Sequence, residues 1–210
     1  AIAALLQPIS GDISAKDVAE RQPVKLAAME AHFETEKGAP LFIGGIVDEE
    51  KKEVNYKIEI PKALSFLAFG DFDAEVKGLN EFPEEEIPPV AIVHYAFQVM
   101  VGIGTLLALA GILFFISLKK KSWMDSKKYW WFFMLLAPLG FLALEAGWVV
   151  TEVGRQPWII YQIMRTSDAV TPMPGIKFSF FMYVGVYILL ALTVTWLMQR
   201  QIKALNTQKD

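Results

Sequence analysis

Cysteine is absent from this 210-residue chain, and histidine occurs only as His32 and His94. The first absence excludes disulfides, thiolate metal sites and a cysteine nucleophile, and leaves the redox compartment open. The second leaves two imidazoles for any metal or acid–base chemistry. Charge is sparse over most of residues 90–210, where long apolar runs bring the hydrophobic share of the whole chain above one half. That distribution belongs to a membrane protein rather than a soluble domain. No internal repeat is visible, and no nucleic-acid partner is expected.

Three stretches are long enough to cross a bilayer, which takes about 20 residues at about 1.5 Å rise each: Val90 to Leu118, Tyr129 to Val150 and Phe178 to Met198. Ala1 to Ile9 reads as the end of a further span. With no charged leader or small-residue cleavage site, it does not read as a signal peptide, and the chain is expected to be the C-terminal part of something larger. The expected fold class is all-α integral membrane, a transmembrane helix bundle of three full spans plus one partial span. An extracytoplasmic loop region with short helices and a β-hairpin accompanies it. Residues 1–10 would end a transmembrane helix, 11–89 form the outer region, 90–199 the three spans and 200–210 a cytoplasmic tail.

Charge asymmetry orients this arrangement. Residues 11–89 carry eighteen acids against nine bases, while Lys119, Lys120, Lys121, Lys127 and Lys128 crowd the loop between the first two full spans. Arg200, Lys203 and Lys209 follow the last span. The positive-inside rule puts both basic clusters on the cytoplasmic side and the acidic region and the Arg155 loop outside.

The outer region is patterned. Val24, Ala27, Ala28 and Ala31 fall at helical spacing, so one or two short amphipathic helices are expected within residues 15–36. Leu41–Val47 and Val54–Ile60 are β-prone runs flanking a charged hexapeptide and read as a β-hairpin. A short helix is expected near Ala63 to Phe69, and Pro83, Pro88 and Pro89 mark re-entry to the membrane.

Two apolar segments carry chemistry. In the first full span, Phe97-Gln98-Val99-Met100-Val101-Gly102 places a thioether beside small residues that let a helix or a flat cofactor approach. A methionine can ligate haem iron, although within an apolar helix it is ordinarily packing. His94 and Met100 are six residues apart, about 600° of helix, and do not share a face. In the second, Glu145, Trp148 and Glu152 form one stripe. Glu152 at membrane depth has either a function or a headgroup-layer pairing with Arg155, and both readings stand. Gly154 and Pro157 should end the helix and hold Arg155 near the outer interface, where it could bind an anionic group such as a haem propionate.

Gly154-Arg155-Gln156-Pro157-Trp158, preceded by Gly147-Trp148 and Glu152, resembles the signature of subunit I of the cytochrome bd-type quinol oxidases. Lys25-Leu26-Ala27-Ala28-Met29-Glu30 resembles that family's quinol loop, and the Met100 block resembles its low-spin haem b helix. Together these blocks span most of the chain and resemble the C-terminal half of the subunit. The resemblance implies a bacterial cytoplasmic-membrane enzyme that oxidises quinol (menaquinol or ubiquinol) outside and reduces dioxygen to water through low-spin haem b, high-spin haem b and haem d. It implies Met100 as a ligand of the low-spin haem b iron and Glu152 as a ligand of a high-spin haem iron. Trp148 would be an inter-haem contact, Arg155 a propionate partner, and Lys25 and Glu30 quinol-site residues.

Lys25 and Glu30 lie roughly 140° apart on a helix and would touch different parts of such a site. Gln98 occupies a position where some relatives carry arginine, which puts one haem contact in question. Histidine ligands and the proton path are expected in the N-terminal half of subunit I. That half, subunit II and small single-span subunits are the expected partners. Two alternatives remain from the residues: a b-haem quinone-reactive electron-transfer subunit, and a transporter or structural subunit using Glu145 and Glu152.

Overall fold

The computed structural model of the chain describes residues 1–170 and 172–207, the side chains of 205–207 excepted. It divides into two compact units, Ala1–Ala169 and Val170–Asp210.

The first unit opens with α1 (Ile2–Arg21). The sequence suggested a span ending near residue 10 and a separate helix after it, but α1 runs on through Pro8 and Gly11. Its polar half is laced by Asp12–Lys16 and Asp17–Arg21 ion pairs, each 2.7 Å and each with the acid four residues before the base. That orientation opposes the helix dipole favourably and supports the helix beyond its two breakers. Pro23, at the first position of α2 (Pro23–Glu30), needs no hydrogen-bond partner there. Ala31 then ends α2 in a left-handed conformation, φ 50°. The Ala31 and His32 amides bond to the carbonyls of Ala28 and Ala27, the two crossed bonds of a Schellman end. Val24, Ala27, Ala28 and Ala31 are all buried, as their spacing indicates.

The expected hairpin is present but interrupted. Strands β2 (Leu41–Ile43) and β5 (Ile58–Ile60) pair antiparallel, as do β3 (Ile46–Asp48) and β4 (Glu53–Asn55). One register runs through both pairs, from Leu41↔Ile60 to Asp48↔Glu53. Gly44 and Gly45, both at positive φ, break the ladder opposite Tyr56 and Lys57. A Cβ on Gly45 would lie 2.5 Å from Val54 Cγ1, so glycine is required there. A two-residue ladder of β1 (Glu36–Lys37) and β6 (Glu75–Val76) ties the flanks together. The helix α3 (Ala63–Phe69) lies between β5 and β6.

Two buried clusters fill this region, one around Met29, Phe33, Phe42, Leu79 and Val93, the other around Leu26, Leu64 and Val76. The long α4 (Val90–Lys119) grips the hairpin through its outer turns. Gln98 Nε2 donates to the Phe42 carbonyl at 2.8 Å, and the Gly44 amide donates to Gln98 Oε1 at 3.3 Å. The Val47 amide donates to the Tyr95 hydroxyl at 3.0 Å.

The second span is not one helix. It consists of α5 (Lys127–Leu136) and α6 (Leu139–Val153), with Ala137 and Pro138 between them, because Pro138 has no amide hydrogen to continue the ladder. Antiparallel α4 and α6 pack along three glycines at heptad spacing. A Cβ on Gly140 would be 4.0 Å from Leu107, on Gly147 2.9 Å from Met100 Sδ, and on Gly154 3.2 Å from Val93. Beyond α6, a hairpin that the sequence did not announce pairs β7 (Trp158–Ile160) with β8 (Met164–Arg165).

The second unit contains α7 (Ile176–Thr207). Among the described residues, three segments are long and apolar enough to cross a membrane: Glu84–Lys119, Lys127–Val153 and Ile176–Ala204.

Candidate functional site

Gly154 is where three elements of the first unit converge. Its backbone packs so closely that a Cβ there would meet the Val150 carbonyl, Val93 of α4 and, at 3.5 Å, Lys25 Cε of α2. The turn that follows is held rigidly. Gln156 Nε2 donates to the Glu152 carbonyl at 3.2 Å, and the Thr166 hydroxyl donates to Gln156 Oε1 at 2.8 Å. Arg165 lies over the Trp158 ring, 5.1 Å from its centre. Arg155 Nη2 donates to Glu152 Oε2 at 2.5 Å, so the acid and the guanidinium form a mutual pair.

Next to this turn is a cavity of about 200 Å³ whose lining includes Lys25, Glu86, Arg155, Gln156, Trp158 and Tyr161. Arg155 Nε and Trp158 Nε1 are buried and have no hydrogen-bond partner. Burial and the Arg155 charge hold the Lys25 ammonium below its ordinary pKa, partly offset by Glu152. The Lys25 ammonium and the Arg155 guanidinium bring positive charge to this lining, and Glu86 and the pairing of Arg155 with Glu152 offset part of it.

Glu30 is at the other end of α2 from Lys25 and is 4% exposed. Its Oε2 has no partner, and burial pushes its pKa up to about 8. Placement at a helix C-terminus disfavours the charged carboxylate further. Lys25 and Glu30 thus occupy different surroundings, one facing the Arg155 turn and the other enclosed by the core.

Two imidazoles join Glu30 in this buried region, and neither was singled out as functional from the sequence. His94 Nδ1 donates to the Met29 carbonyl at 2.9 Å, which leaves its buried Nε2 unpaired. His32, 2% exposed, has an unpaired Nε2 as well. Burial, then the Lys57 charge, lowers its pKa to about 4. The one available signal for His32 was its place two residues past Glu30.

The remaining candidates lie along the α4–α6 seam. Met100 is partly buried with its sulfur against Gly147. Gln98 holds the hairpin by both ends of its amide. Glu145 and Trp148 are exposed, the latter by 63%, and with Glu152 lie about 100° to 160° around α6 from Gly147. Gly102 and Gly104 have nothing within 4 Å of where a Cβ would be, so α4 does not use them for packing here. Among the described residues no group of three or more histidine, aspartate or glutamate side chains could hold a metal ion.

Long apolar helices, a β-arm packed on one of them, and a cavity lined by Lys25 and Arg155 at the end of another define a multi-pass membrane protein. A family model for cytochrome bd terminal oxidase subunit I matches residues 1–206, and the chain belongs to that family. It is 42% identical over 203 residues to the putative cytochrome bd menaquinol oxidase subunit I of Bacillus subtilis (strain 168), covering 94% of this chain and 44% of that protein. Against the cytochrome bd ubiquinol oxidase subunit 1 of the same organism it is 32% identical over 209 residues, covering 93% and 44%. Its fold is similar to that of bd oxidase from Geobacillus thermodenitrificans, with a TM-score of 0.82, 39% identity, and coverage of 96% of this chain and 46% of that one. The chain spans just under half the length of these relatives.

Proposed function

We propose that this chain supplies the quinol-oxidising loop and part of the haem-binding surface of a bd-type quinol:oxygen oxidoreductase in a bacterial cytoplasmic membrane. The observation that carries the reading is Glu30: a buried, unpartnered carboxyl in the Lys25–Glu30 motif, with its pKa raised to about 8. A quinol must lose two protons and two electrons, and an acid titrating near neutrality is suited to take a hydroxyl proton. The charge pattern puts Glu30 on the outer side, so its proton leaves outward.

Haem, when bound, supplies electron transfer and oxygen reduction. The residues present fit such a group: Arg155 Nε, Trp158 Nε1 and Lys25 are donors for a propionate, and Glu152 has a second oxygen beyond the one held by Arg155. Met100 would hold low-spin haem b through its thioether, Glu152 would ligate iron in the high-spin pair that includes haem d, and Trp148 would be an aromatic contact between haems. Gln98 acts on the haem side indirectly, by fixing the hairpin against α4. The N-terminal half of subunit I, subunit II and small single-span subunits complete the assembly, with menaquinol or ubiquinol as donor and dioxygen as acceptor.

The test is Glu30→Gln in the complete subunit, assembled with its partners. Quinol oxidation should fall by on the order of a hundredfold, the low end of general-base contributions, with haem spectra intact. Normal turnover would remove Glu30 from the site.

A further inference from the structure

The last four carbonyls of any helix lack an intrahelical partner, and a buried one needs a donor from elsewhere. At the end of α2 the Ala27 and Ala28 carbonyls accept from the His32 and Ala31 amides. The Met29 carbonyl takes its donor from α4 instead: His94 Nδ1, 2.9 Å away, on a side chain with no solvent exposure. A carbonyl oxygen can only accept, so the imidazole hydrogen is on Nδ1.

That carbonyl belongs to the peptide unit joining Met29 to Glu30. The unit is planar, with the Met29 oxygen and the Glu30 Cα atom in one rigid plane. A donor that fixes the oxygen therefore fixes the point from which the Glu30 side chain starts. The carboxyl has no such anchor at its far end, where Oε2 is buried without a partner. His94 shares one face of α4 with Tyr95 and Gln98, which grip the hairpin through the Val47 amide and the Phe42 carbonyl. Of these three, His94 is the one that reaches α2. Met100 is six residues further along α4, about 9 Å up the axis and about 120° around it, against Gly147 of α6. One helix thus carries both the donor that holds the Glu30 peptide and the candidate thioether of the low-spin haem.

We propose that His94 is a positioning residue for quinol oxidation: through the Met29 carbonyl it holds Glu30 at a set distance from the Met100 side of α4. The inference rests on the reading of Glu30 as the quinol base. A quinol loses its protons and electrons from the same ring, so a base that drifts relative to the electron acceptor loses rate even when quinol still binds. A misplacement of about 1 Å can cost up to roughly a hundredfold. His94 touches no substrate and takes no proton in this role. Its contribution is geometry, delivered by a donor at the Nδ1 position.

His94→Leu, His94→Gln, His94→Asn, Glu30→Gln and the double variant of His94→Leu with Glu30→Gln are compared in the assembled full-length oxidase. Reduced-minus-oxidised haem spectra serve as the assembly control. Asparagine carries its amide nitrogen on Cγ, where histidine carries Nδ1, and glutamine carries it one bond further out. His94→Leu and His94→Gln should therefore lower kcat by on the order of tenfold with KM unchanged, and His94→Asn should restore it. In the Glu30→Gln background His94→Leu should have no further effect, because a residue acting through Glu30 has nothing left to position. If His94→Leu fails to assemble, His94→Gln takes its place in both backgrounds. Unchanged kcat in His94→Leu or His94→Gln overturns the proposal, as does a His94→Asn enzyme as slow as His94→Leu. An equal loss in both backgrounds also overturns it and marks His94 as packing alone. If Glu30→Gln itself turns over normally, the quinol-base reading fails and the positioning role goes with it; a slow Glu30→Gln beside normal His94 variants sinks the positioning role alone.

Discussion

At the scale of single residues, Glu30 and His32 pull stability in opposite directions with pH. The Glu30 carboxyl titrates near 8 when folded against an ordinary 4.5, so between those values the folded state keeps a proton that the unfolded state has lost. Stability therefore falls as pH rises through that window, by on the order of a few kcal/mol. His32 titrates near 4 instead of 6.5, so its contribution is lost as pH falls between those values. Melting temperatures of the solubilised protein from pH 4 to 9 should flatten on the alkaline side in Glu30→Gln and on the acid side in His32→Gln; parallel curves for wild type and variants would refute both. The sequence made Lys25 and Glu30 visible through a motif, and helical spacing separated them correctly in angle. It could not show that Glu30 is sealed and Lys25 faces a cavity, because burial depends on β-arm and α4 residues distant in the chain. The burial of His32 and His94 was hidden for the same reason.

Element by element, glycines decide how α4 meets α6. Gly147 brings the helices together at Met100, where an added methyl would press on the thioether at 2.9 Å. Gly147→Ala should cost about 1–3 kcal/mol in stability and shift the low-spin haem spectrum, whereas Gly102→Ala, facing open space, should do neither to the helix pair. Equal behaviour of the two variants would show that the seam does not control Met100. The hairpin depends on α4 in a comparable way. Gln98→Ala removes two bonds, each worth about 1 kcal/mol net, and should speed tryptic cleavage at Lys51 and Lys52; unchanged cleavage would mean that the arm stands alone. Alternation and the charged hexapeptide made this hairpin legible, and its register continues across the gap. The break at Pro138 was equally visible as a residue but was read through, since apolar runs measure length and not continuity. The hairpin after Pro157 gave no signal, because its short strands lack alternation and are fixed by Thr166 and Arg165.

For the whole molecule, the sidedness expected from the charge pattern is open to a direct test. This chain adds no cysteine of its own to the background for thiol probes, and the same oxidase without an introduced cysteine is the control. Single cysteines at Lys51 and at Lys120, in the complete oxidase, should react with an impermeant maleimide from opposite faces of sealed spheroplasts and inverted vesicles. Labelling of both from one face would reverse or abolish the orientation. The hairpin's unbroken register also bears on the order in which the chain takes shape. Its pairs zip outward from Asp48↔Glu53, a contact that encloses only four residues and forms in about 1–10 μs. Tyr95 and Gln98 follow β5 by more than thirty residues, which at roughly 5–20 residues per second is seconds of synthesis. A lone hairpin is marginal in water. The arm therefore opens and closes many times during translation, until α4 emerges and latches it in the one register that was already there.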